Sequence, residues 1–171
     1  MNKKWQVNIT LKMFAILAVI PIVFSTFFGG YEVISNGLQV NAPVSVSIFD
    51  YVSKNDIFLA ISFVCIVLMI LLILAIAILS IIDVYKKRNT NFLGILLSSF
   101  EIILSITIFV CTLAFCLNNS VYSENTSLKY ELGTCTILCF VFGLIFGIFS
   151  LISYTIKIDK KDVKTKNSKN V

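Results

Sequence analysis

The residues of this chain that could do chemistry are five cysteines, Cys65, Cys111, Cys116, Cys135 and Cys139, and one acid, Glu101, set inside a long apolar run. Neighbouring thiols can exchange disulfides through thiolate attack, and a carboxyl inside a membrane helix can hold a proton or an ion. The chain has no histidine, which removes the commonest metal ligand and the commonest general base. It also lacks a phosphate-binding glycine loop, a nucleophile elbow and zinc-type cysteine spacing. No catalytic, cofactor-binding or metal-ligating set is therefore expected, and the chain is not read as an enzyme.

The elements that must position these residues follow from composition. Of 171 residues, 58% are hydrophobic and only 13% charged, too few polar groups to coat a soluble domain. A span of the hydrocarbon core needs about 20 apolar residues, and in lipid only a helix satisfies its backbone within one segment. Four such helices are expected, at about 11–29, 57–83, 92–117 and 132–156. They define a four-span domain over 1–158, followed by a charged tail over 159–171 with little to bury.

Orientation follows from the basic residues, which stay on the cytoplasmic side. With the N-terminus inside, Lys3, Lys4, Lys12, Lys86, Lys87, Arg88 and the six lysines from Lys157 to Lys169 are cytoplasmic, against Lys54 and Lys129 outside. Both termini are expected inside, and the net charge of +5 reads as membrane anchoring with no nucleic acid implied. A competing reading, a cleaved signal peptide at the N-terminus, lacks an A-x-A-like site. The Lys, Asn and Ile content suggests a bacterial plasma membrane.

The first outer loop, 30–56, carries a pattern of its own. Tyr31–Ser35 and Leu38–Val40 flank Asn36-Gly37, a two-residue hairpin signal, and Val44–Ile48 alternates apolar and polar with period two. A small three-stranded sheet is expected there, while the second outer loop, 118–131, reads as short and polar. Four helices with a strand-forming first outer loop resemble the claudin-type tetraspan outline in topology. The claudin Trp and cysteine pair are absent from 29–56, so no paracellular barrier role is implied.

Within this frame Glu101 lies near the midplane, at the counted depth of Pro21 in the first helix, Leu74-Ala75 in the second and Gly147 in the fourth. Pro21 frees the carbonyl of Leu17, an acceptor that a protonated Glu101 could meet. The alternatives are an ion or proton site and a carboxyl that staples two helices. Gly143 and Gly147 form a small-xxx-small pair, for packing within the bundle or against a partner.

All five cysteines fall in outer halves of helices. Membrane thiol oxidoreductases of the vitamin K epoxide reductase type also place cysteines near the outer face, but neither pair here has C-x-x-C spacing. Small packing residues are the plainer reading; a Cys116 to Cys135 disulfide is compatible with the placement and not deducible from it. The sequence thus favours a non-enzymatic structural, assembly or partner-binding subunit in the lipid bilayer, meeting another membrane protein or a second copy of itself. A small transport element built on Glu101 is the alternative, and an outer-face thiol enzyme a remote one.

Overall fold

The computed structural model describes residues 3–36, 44–86, 90–122 and 127–156. Four helices, α1 (Lys3–Ser25), α2 (Ile57–Tyr85), α3 (Asn91–Asn119) and α4 (Thr134–Thr155), alternate with four strands, β1 (Gly29–Asn36), β2 (Val44–Ser47), β3 (Val121–Tyr122) and β4 (Ser127–Leu132). All four helices are long and apolar enough to cross a membrane. Three of them begin and end within two residues of the expected limits. Helix α1 does not: it runs from Lys3 to Ser25 and not from about 11 to 29, so Trp5, Val7 and Ile9 lie in its first turns. Propensity explains this, because nothing between Lys3 and Ser25 breaks a helix until Pro21, and α1 runs through Pro21.

Buried positions recur along the helices at alternating steps of three and four. In α2 the repeat runs Leu59, Ser62, Ile66, Met69, Ile73, Ile76, Ser80 and Asp83, with Cys65 buried beside it. In α3 it runs Gly94, Ser98, Glu101, Ser105, Ile108, Thr112 and Phe115, with Cys116 buried beside it. That 3.5-residue repeat is the seam of a left-handed bundle, in which each helix keeps one stripe inward. Here the stripe is rich in small and polar residues, while Phe14, Leu17, Phe24, Leu71, Phe100 and Ile103 face outward and exposed. Water would punish this arrangement; a hydrocarbon solvent rewards it, since packing between membrane helices favours small residues and interhelical hydrogen bonds. Helix α4 is central to the assembly, packing along both α1 and α3, and α3 packs on α2.

The four strands form one antiparallel sheet in the order β2-β1-β4-β3. The first loop contributes β1, expected from the Asn36-Gly37 signal, and β2, expected from alternation. Contrary to the sequence reading, the second loop is not merely a polar link, because it supplies β3 and β4, and β4 pairs with β1 from Tyr31↔Leu132 to Asn36↔Ser127. The expected strand Leu38–Val40, the Gly37 half of the turn and the basic tail lie outside the described residues. The inward-packed residues alternate along the strands, with Tyr31, Val33, Val46, Tyr130 and Leu132 all in the hydrophobic core or against it. Cross-strand neighbours on that face, Tyr31↔Leu132 and Val33↔Tyr130, are the pairs that hold such a sheet together.

Candidate functional site

The bundle interior carries three polar clusters, one at the sheet end, one midway and one at the opposite end. The opposite end is the most elaborate. Lys12 Nζ lies 3.0 Å from Asp83 Oδ2, with Lys12 1% and Asp83 0% exposed. Thr90 just ahead of α3 donates to the same carboxylate oxygen from its backbone N (3.1 Å) and its hydroxyl (2.9 Å). The Lys12 ammonium also sits 4.3 Å from the centroid of the Tyr154 ring, a cation–π geometry. The Tyr154 hydroxyl is 3.0 Å from Ser80 Oγ, and Asn8 Nδ2 donates to Ser153 O at 2.7 Å. Every helix thus reaches this knot. Sequence reading placed Lys12 among the solvated basic flanks; its place on the α1 stripe, four residues after Asn8 and three before Ala15, is the signal that would have found it.

Midway, α3 and α4 approach closely along small residues. A Cβ on Gly143 would fall 2.2 Å from Ser105 Oγ, and one on Gly147 would fall 2.6 Å from Ile102 Cγ1. Both glycines of the small-xxx-small pair therefore pack inside the bundle and offer no face to another membrane helix. Ser98 donates to Ser150 Oγ (2.9 Å) and Ser105 to the Glu101 carbonyl (2.9 Å).

Glu101 sits between those two serines, fully buried. Among the described residues neither of its carboxyl oxygens has a hydrogen-bond partner. Its expected level with Gly147 is seen, since a Cβ there would also stand 3.4 Å from Ser98 O and from Ile102 N. The expected neighbour Pro21 is not. Contacts Asn8–Ser153 and Ser25–Cys139 set the α1–α4 register so that Ala15 falls near Gly147, with Pro21 about 9 Å further toward the sheet at 1.5 Å per residue. The early start of α1 is the cause. On α2 the pairs Ser62–Thr112 and Met69–Ser105 put Ile73, not Ala75, across from Glu101.

At the sheet end Ser25, the last residue of α1, meets the first turns of α4. Ser25 Oγ is 3.2 Å from Cys139 Sγ and 4.0 Å from Cys135 Sγ, and the two sulfurs are 3.9 Å apart. All five cysteines stand as free thiols, Cys116 and Cys135 among them. Above them the sheet is fastened to the helices. Thr136 Oγ1 donates to Gly30 O (2.7 Å), and Gly133 N to the same carbonyl (2.9 Å). Tyr31 joins Phe115 (4.9 Å between centroids), Tyr51 (5.8 Å) and Tyr130 (5.9 Å) in an aromatic cluster. Burial pushes the Tyr31 hydroxyl up to about 12, with nearby Tyr130 adding to the shift, and raises that of Tyr51 as well. Both stay neutral near pH 7.

No family model and no curated protein matches the chain. The class that the fold defines is a bundle of four helices of membrane-crossing length, capped at one end by a sheet shared between two loops. Among the described residues no group of three or more His, Cys, Asp or Glu side chains gathers in a way that could hold a metal ion.

Proposed function

We propose that the protein is a non-enzymatic, multi-pass subunit of a plasma membrane, with both termini cytoplasmic, that binds another membrane protein through its outer sheet. The observation that carries this reading is the sheet itself: two loops distant in sequence are welded into one platform and bolted to α4 through Gly30. Strand β2 is its edge, with Val44 exposed, and an open edge can pair with an added strand. Around it Phe27, Phe28, Phe49 and Val52 are exposed at the same end, and apolar groups of this kind mark contact surfaces. The internal use of Gly143 and Gly147 leaves the platform as the better docking surface.

Affinity capture of the full chain from its native membrane in mild detergent tests this. A partner membrane protein is expected to co-purify, and to be lost when Val44–Ser47 is replaced by a Gly/Ser stretch that cannot pair. Recovery of the chain alone in several mild detergents would refute the reading.

One observation favours a second reading. A fully buried carboxyl with no hydrogen-bond partner among the described residues is costly, and a staple between helices would show one. Glu101 instead supports a proton- or ion-binding element. Glu101→Gln is then expected to lower proton or cation flux in proteoliposomes at least about tenfold, a loss of ~1.4 kcal/mol in rate terms. Equal flux through both proteins removes this reading.

A further inference from the structure

The Ser25, Cys135 and Cys139 cluster belongs to neither of these roles, and its geometry is unusual for a thiol pair. The two cysteines are one helical turn apart on α4, with Sγ to Sγ at 3.9 Å and both residues fully buried. Residues at i and i+4 of a helix hold their Cβ atoms about 5–6 Å apart, whereas a disulfide needs roughly 3.5–4.5 Å. Oxidation to a disulfide would therefore require α4 to unwind at its first turn. The pair is built to remain a dithiol.

We propose that Cys135 and Cys139 form a two-coordinate site for a soft monovalent cation, copper(I). Soft sulfur ligands select such ions. Taking the zinc–sulfur length of about 2.3 Å as a guide, a linear S–Cu–S unit spans about 4.6 Å, so the sulfurs need to part by about 0.7 Å from their 3.9 Å separation. Zinc wants four ligands, and among the described residues no third or fourth His, Cys, Asp or Glu side chain gathers here.

Both thiols release their protons to solvent as the two Cu–S bonds form, giving a bis-thiolate copper(I) unit of net charge −1. No electron is transferred. Cys135 is the second residue of α4, so the site sits at the positive end of the helix dipole, which suits its net negative charge. Ser25 Oγ now lies 2.6 Å from Ile22 O as donor and 3.2 Å from Cys139 Sγ. Its hydroxyl can turn to donate to the sulfur once the Cys139 proton leaves.

Copper(I) supplied anaerobically as its acetonitrile complex, in competition with a chromophoric chelator, tests the site on the full chain in detergent. One equivalent is expected to bind, with the affinity reduced at least about a hundredfold in Cys135→Ser and Cys139→Ser and about tenfold in Ser25→Ala, the scale of a lost supporting partner. Cys65→Ser/Cys111→Ser should bind as the parent does. In that background, so that folding of the site variants is not at issue, phenylarsine oxide is expected to add once, its oxygen leaving as water as two As–S bonds form. Failure to bind copper, binding that survives loss of both Cys135 and Cys139, or no arsenical adduct each overturns the proposal.

Discussion

Asp83→Ala is expected to destabilise the bundle by about 3–5 kcal/mol, the cost of removing one member of a buried ion pair. The variant strips Lys12 of its carboxylate 3.0 Å away and strips Thr90 of the acceptor that fixes the entry to α3. Lys12 has nowhere to go, because it is 1% exposed and lies over the Tyr154 ring. Lys12→Ala removes the other half of the pair and leaves Asp83 with Thr90, so its cost should be smaller. The double replacement Lys12→Met/Asp83→Leu recovers most of the loss, since a well-packed apolar pair often matches a buried ion pair. Titration with SDS in mixed micelles, followed by circular dichroism, reads all three. A fall of under 1 kcal/mol for Asp83→Ala would mean that the pair is not formed in the membrane.

The same residues show how far the chain could be read in advance. Hydropathy alone places four helices, because length and the lack of charge are one-dimensional quantities. The limits of α2, α3 and α4 follow from it closely, helped at α2 by Asp56, which caps the helix through Phe58 N and Leu59 N. The Asn36-Gly37 turn signal finds β1 and alternation finds β2 for a similar reason: both are local patterns. What escapes is pairing between distant segments. β4 carries Leu128, Tyr130 and Leu132 at period two, yet its partner is a strand about a hundred residues earlier, and nothing local announces that.

The candidate sites divide in the same way. Glu101 is visible as a charge in an apolar run, and its level with Gly147 follows from counting α3 and α4 from well-marked ends. Pro21 is misplaced because α1 has a poorly marked start, where Lys3, Lys4 and Lys12 look like flanking solvated charge. Lys12 stands near the start expected for α1 at about residue 11, and Asp83 near the end of α2, where a charge ordinarily needs no explanation. Only the three-four spacing of polar positions, Asn8 and Lys12 on α1 against Ser80 and Asp83 on α2, distinguishes an inward charge from a snorkelling one.

The second large effect is expected at a residue with no side chain. Gly133→Ala should cost about 3 kcal/mol or more, at the upper end of overpacking, and should loosen the sheet from the bundle. A Cβ at Gly133 would lie 2.3 Å from Gly29 O and 2.7 Å from both Gly30 C and Tyr31 N. These are backbone atoms in β1, so no rotamer change relieves them; the strand or the start of α4 must move. Movement breaks the Gly133 N to Gly30 O hydrogen bond and displaces Thr136 from the same carbonyl. By contrast, a Cβ at Gly147 meets first a side-chain carbon, Ile102 Cγ1 at 2.6 Å, with the nearest backbone atoms 3.4 Å away, so Gly147→Ala should cost less. Hydrogen exchange on β1 and β4 discriminates the two. Faster exchange across the sheet with the helices still protected is expected for Gly133→Ala, and unchanged exchange there would show that the platform is not held to α4 through Gly30.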